Sequence, residues 1–351
     1  MLLGLAHLLG MAARRLGQPP IVGSLLAGLI AGPSVFGQVW PSGFHWFLPG
    51  GDIHSGALNA IAGLSLLILL ISLGAETDIP LIRSLGRPAA WVIVGSIVIP
   101  GAAGVATGYL LPHDLLGTHQ HRLAFALLIA GAMSVSSLPV VARIINELDM
   151  SRRNVGQLTV AAATANDGYG FLLLAVVLAL VGGGTSNLVV ALVGLVVLAA
   201  VVATLGKRLV DGMLRRTRRQ GPNPAGAIAA ALATTLVLAA VSEALGLDAA
   251  LGAFIAGIVL GGSRFIQSRA MTSIEWMSGA FFAPLYFATA GLSVDVTKLG
   301  KATTAAAFAA VLVVALATKF AGSAVGAGLA QLPAREGVAL GIGLNGRVRC
   351  R

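Results

Sequence analysis

Charge is scarce in this chain: only 10% of its 351 residues are Asp, Glu, Lys or Arg, and the acids number 13. Aromatic residues are few as well, at 5%, whereas 57% of residues are hydrophobic and the mean hydropathy is +0.91. A soluble domain needs far more polar surface, so that class is excluded and the composition is that of a polytopic membrane protein. The ten-residue alternation of a membrane barrel is also missing, which leaves helices as the way to satisfy the backbone in lipid. A single cysteine, Cys350, excludes internal disulfides and cysteine-based metal clusters. No G-x-x-x-x-G-K-[ST] pattern occurs, which argues against a nucleotide-driven pump. The expectation is an all-α, multi-pass membrane protein with no cofactor and no enzymatic chemistry.

What is present is a series of apolar runs. Spans are expected at about 1–13, 20–37, 57–75, 89–111, 122–147, 154–181, 187–205, 225–246, 249–262, 275–292, 302–330 and an incomplete 336–351. The first is followed by Arg14 and Arg15 and preceded by no basic region, so it reads as a span clipped at its start, not as a signal peptide. The net charge of +10 then finds its place in loops. Loops after odd-numbered spans carry most of the Lys and Arg, including Arg83, Arg87, Arg152, Arg153, Lys207 and Arg208. Loops after even-numbered spans carry Arg122, Lys298 and Lys301. The positive-inside rule makes the first set cytoplasmic and puts the N-terminus on the outer face. Charge of this kind is topology, and it removes the case for nucleic acid. His113, His119 and His121 read as surface histidines of one outer loop, and His45 and His54, with Trp40 and Trp46, as parts of an interfacial loop. The run Arg215, Arg216, Arg218 and Arg219 is placed in a cytoplasmic loop against anionic lipid.

Two segments share one pattern at one spacing: Gly23, Ala27, Gly28, Gly32 and Gly252, Ala256, Gly257, Gly261. Either alone reads equally well as generic helix packing. The following spans also match, ending in Gly74-x-x-x-Asp78 and Gly291-x-x-x-Asp295, so the two regions read as copies of a duplicated unit. They lie an odd number of crossings apart and enter the membrane from opposite sides. Inverted repeats of this kind belong to secondary transporters, which bind their ions at the midplane beside broken helices. The first repeat is expected over about 20–181, linking spans over 187–246, and the second repeat over about 249–351. A helix break is expected in the fifth span, where Ser134-Val135-Ser136-Ser137-Leu138-Pro139 interrupts an apolar helix and Pro139 removes a backbone donor. A simple proline kink is the alternative reading. Aligning Arg122 with Arg335 makes the chain end as the second break begins, so the second repeat is expected to be incomplete.

Asp167 is the one acid at the centre of a span, with Asn166 beside it. A carboxylate there costs about 2.5 to 3.5 kcal/mol on insertion scales and marks a functional site; its alternative reading is a structural cap on a helix break. Such a group holds a proton or a cation, but not both, and that competition suffices for antiport. Asn166 adds an amide without charge, and Ser134, Ser136 and Ser137 with freed carbonyls add hard oxygens suited to an alkali cation; each serine reads equally well as back-bonded to its own helix. Lys319, central in its span, is expected to pair near Asp167 or Asn166.

These residues match a known pattern. Leu16-Gly17-Gln18-Pro19-Pro20-Ile21-Val22-Gly23, then Leu26-Ala27-Gly28 and Gly32-Pro33-Ser34, resembles the opening of monovalent cation:proton antiporters of the second cation/proton antiporter group. Ser134 to Pro139, continuing through Ala142-Arg143 to Asn146-Glu147-Leu148, is similar to their crossover helix; Asn166-Asp167 resembles the paired motif of the next helix, and Phe282 to Leu292 a later family segment. The resemblance implies a sodium/proton-antiporter fold in a bacterial cytoplasmic membrane, a homodimer, and a core domain moving against a dimerisation scaffold. It also implies that Asp167 and Asn166 bind the transported Na+ or K+ and the proton, with no other metal. Electrogenic members carry Asp-Asp, so Asn166-Asp167 implies electroneutral one-for-one exchange. Lys319 resembles a core lysine that pairs with the first Asp where there is one. Asn345-Gly346-Arg347 opens the last crossover helix, but Val348-Arg349-Cys350-Arg351 departs from the family's long apolar continuation. Two functions therefore stand: a proton-coupled cation antiporter, and a truncated, non-transporting copy retained as an interaction or sensor remnant.

Overall fold

The computed structural model describes residues 1–47, 52–77, 79–116, 121–136, 141, 154–183, 185–219 and 224–345. Its longer helices are α1 (Leu2–Arg15), α2 (Pro20–Ala31), α3 (Asp52–Ala75), α4 (Gly86–Leu110), α5 (Arg122–Ser134), α6 (Asn154–Gly183) and α7 (Thr185–Val201). They continue with α8 (Lys207–Arg219), α9 (Pro224–Ala244), α10 (Ala249–Gly261), α11 (Ser268–Met277), α12 (Ala283–Leu292), α13 (Ala302–Leu329) and α14 (Ala334–Asn345). Among the described residues 6 helical stretches are long and apolar enough to cross a membrane, and Arg122–Ser134, Leu192–Val201 and Ala249–Gly261 are shorter apolar helices. Exposed side chains such as Val196, Val313 and Phe308 are what lipid contact requires of such helices. The protein is a multi-pass membrane protein.

Two stretches expected as loops are helical. The basic run lies in α8, because Val210 and Leu214, one turn apart, are buried while Lys207, Arg208, Arg215 and Arg216 remain exposed. The Trp40 region holds two short helices, Phe36–Val39 and Pro41–Phe47. The span expected from 275 begins earlier, at Ser268, and reaches Leu292 through a π-turn at Ser278–Phe282.

The chain forms two compact units. The first comprises Met1–Glu76, Ala200–Val241 and Gly252–Lys301; the second comprises Thr77–Ala199, Ser242–Leu251 and Ala302–Arg351. In the first unit a core of Ile68, Ile71, Val210, Leu214, Leu260 and Ile274 joins α3, α8, α10 and α11. The glycine quartets are contact points here. A Cβ at Gly28 would lie 2.9 Å from Gly291 Cα, so α2 and α12 touch backbone to backbone. A Cβ at Gly257 would lie 2.9 Å from Gly74 Cα, and α10 meets α3 in the same way. The packing is reciprocal: the helix with the first quartet meets the Gly291 helix, and the helix with the second meets the Gly74 helix.

Glu76, just past α3, keeps an exposed surface. Burial of its carboxyl nonetheless pushes the pKa above its ordinary value of 4.5, and the Glu275 carboxylate pushes the same way. The folded protein therefore holds this proton more tightly than the unfolded chain, and stability falls as pH rises from the ordinary value through the raised one. Glu76→Gln removes that dependence. Its melting temperature should exceed that of the native protein at about pH 8 and match it at about pH 4; equal melting at both would refute the shift.

Candidate functional site

The second unit holds the deep polar residues. Ala161, Ala162 and Ala163 are all buried in α6, and these small side chains let it pack closely against α4, α5 and α14. Asn166 and Asp167 sit mid-helix, 0% and 8% exposed. Beside them α5 stops at Ser134: Val135 turns to an extended conformation (φ −65°, ψ 136°), and its N–H bonds back to Gly131. Ser136, which follows, is also non-helical.

Lys319 of α13, 3% exposed, donates from Nζ to the carbonyl oxygen of Ser134. The charge of Asp167 also acts on this ammonium. The Ser134 hydroxyl donates to the Ile97 carbonyl at 3.3 Å, tying the end of α5 to α4. Asn166 is held on both sides. Its Oδ1 accepts from the Ser96 hydroxyl of α4 at 3.1 Å, and its Nδ2 donates to the Ser136 hydroxyl at 3.3 Å. Ser136 in turn donates to the Leu344 carbonyl, one residue from the end of α14, at 3.1 Å.

Of the residues singled out from sequence, Asp167, Asn166, Ser134, Ser136 and Lys319 come together. Ser137 and Pro139 lie outside the described residues, as does the Ala142–Leu148 part of the crossover pattern. Ser134 donates to Ile97 of α4 and the non-helical Ser136 to Leu344, whereas Ser24, Ser65 and Ser72 bond back within their own helices. Ser96 was missed, because nothing in its local sequence separates it from those back-bonded serines. Among the described residues no group of three or more His, Cys, Asp or Glu is placed to hold a metal ion. The arrangement offers one carboxylate, one ammonium, a neutral amide and several hard oxygens. Hard oxygens of this kind are the donors that alkali cations take.

A family model described as "Sodium/hydrogen exchanger, transmembrane" matches residues 3–349. The chain belongs to that family. Among sodium/hydrogen exchanger relatives it is 30% identical to Cation/H(+) antiporter 19 of Arabidopsis thaliana over 97% of its own length and 42% of the relative's. It thus spans about two fifths of that plant protein. It is 28% identical to Na(+)/H(+) antiporter NhaS4 of Synechocystis over 99% of itself and 84% of the relative. Its fold resembles the sodium proton antiporter MjNhaP1 of Methanocaldococcus jannaschii at pH 8, with a TM-score of 0.65, 16% identity, and coverage of 97% of this chain and 80% of the other. At that identity the likeness speaks for the exchanger fold alone.

Proposed function

We propose that this protein exchanges a monovalent cation, Na+ or K+, for protons across the membrane by alternating access, with Asp167 as the site the two ligands share. The observation that carries this reading is a carboxylate, 8% exposed at the middle of α6, beside the carbonyl end of α5 and an intramembrane ammonium. The names of the plant and cyanobacterial relatives agree with it. Exchange is one for one, because Asn166 is neutral and Asp167 accepts a single positive charge, either a proton or a cation. The reciprocal glycine contacts support two inverted copies, with broken crossover helices at the ends of α5 and α14. We further propose a homodimer in a cytoplasmic membrane, with the basic loops inside.

Proton flux into proteoliposomes, driven by added Na+ or K+ against a preset pH gradient, tests the reading. Cation-dependent flux is expected, and its rate should not change when a membrane potential is imposed. One net charge moving through about 100 mV is worth about 2.3 kcal/mol, so an electrogenic carrier would shift its equilibrium about fiftyfold. A potential-driven shift would overturn one-for-one exchange, and absence of flux in folded protein would overturn antiport.

A further inference from the structure

We propose that Ser96 is a positioning residue for the cation site, acting through the amide of Asn166. The inference rests on the antiport reading above and adds a residue to its machinery. Ser96 and Asn166 are both 0% exposed, so the hydrogen bond between them is made away from solvent. Asn166 is thereby tied to α4 through Ser96 and to the non-helical residue after α5 through Ser136. Asp167 follows Asn166 on the same helix. The two bonds of the amide therefore set where the carboxylate stands relative to the carbonyl end of α5.

The chain of bonds also has two possible directions. The Ser96 hydroxyl has one proton and two acceptors within reach, Asn166 Oδ1 at 3.1 Å and the Ile93 carbonyl at 2.9 Å. With Ser96 donating to Asn166, Nδ2 donates to Ser136 and Ser136 donates to Leu344. With Ser96 donating to Ile93, the amide turns by half a rotation: Nδ2 donates to Ser96, Ser136 donates to Oδ1, and the Leu344 carbonyl is released. Serine is both donor and acceptor, so every member except that carbonyl stays bonded in either direction. Ser96 selects the direction, and the end of α14 receives the consequence.

The test is cation-driven proton flux with Ser96→Ala, Ser136→Ala and their double variant, each made in native and Asn166→Ala backgrounds. Ser96→Ala should raise the cation concentration for half-maximal flux about tenfold, the size of one lost buried hydrogen bond. Its maximal flux should stay within about twofold of native, because Asp167 and Lys319 are untouched. Ser96→Thr, which keeps the hydroxyl, should restore the affinity. The losses from Ser96→Ala and Ser136→Ala should be non-additive, and both should vanish when Asn166 is already alanine. Should Ser96→Ala fail to fold, Ser136→Ala against Asn166→Ala carries the same cycle from the other side of the amide. Additive losses that persist in the Asn166→Ala background, or a fall in maximal flux at unchanged affinity, would overturn the positioning role while leaving antiport standing. Native protein that moves no cation would fail both.

Discussion

Asp167→Asn should end cation-dependent proton movement while the protein still folds. The carboxamide has the shape of the carboxylate and keeps hydrogen-bonding capacity, so packing in α6 is preserved. What it lacks is a negative charge and a releasable proton. At an effective dielectric of about 20, a carboxylate and a monovalent cation about 3 Å apart attract by about 5 kcal/mol. Losing that term weakens binding by about four orders of magnitude. The proton half of the cycle is lost with it, since an amide does not titrate in this range. The measurement is cation-induced proton release from purified protein, alongside flux in proteoliposomes and gel filtration to establish folding. A variant that elutes like the native protein and still releases protons when cation is added would place the shared site elsewhere.

The largest structural effect is expected at Gly28. There is no side chain between α2 and α12 at this point, because a Cβ at Gly28 would stand 2.9 Å from Gly291 Cα. Backbone atoms do not yield as a flexible side chain does, so any substituent must push the two helices apart along their whole contact. Overpacking costs about 1 to 3 kcal/mol where side chains can adjust. Gly28→Ala should exceed that range, and Gly28→Val should give no folded protein in detergent. Gly63 of α3 is the internal control: a Cβ there meets nothing within 4 Å. Gly63→Ala should leave stability unchanged or raise it by a few tenths of a kcal/mol to about 1 kcal/mol, through helix propensity and a stiffer unfolded chain. Thermal melting of the two alanine variants, with gel filtration of Gly28→Val, decides it. Equal tolerance of alanine at both positions would contradict the close approach.

Much of the helix order was legible in the sequence, because apolar runs and basic loops follow directly from the cost of burying charge in lipid. Asp167, Asn166 and Lys319 were legible for the same reason: polar groups at mid-span are rare enough to stand out. α8 was not, since its polar residues outnumber the apolar ones and only the spacing of Val210 and Leu214 shows the buried face. Ser96 was illegible on different grounds. A serine in an apolar helix satisfies itself by bonding to a carbonyl three or four residues back, as Ser65 does to Ile61, and its sequence looks the same whether or not it also reaches a partner. Seventy positions separate Ser96 from Asn166. Only the close packing of α4 on α6 brings them together. Asn166 was expected to offer an oxygen to the cation, and both ends of its amide also bond to serines.

The Lys319 ammonium stands where α5 points its carbonyls into the membrane. The aligned peptide dipoles of a helix gather about half an elementary charge of negative potential at that end. A helix that stops inside lipid would ordinarily call for a bound ion to quiet it. Here the Lys319 Nζ donates to the Ser134 carbonyl, on a side chain that cannot leave. Under the exchange proposed above, the travelling ion is relieved of a structural duty: it can depart, and a proton can take its place, without exposing a bare helix end to hydrocarbon. The proposed exchange then has a return journey that needs only a proton aboard.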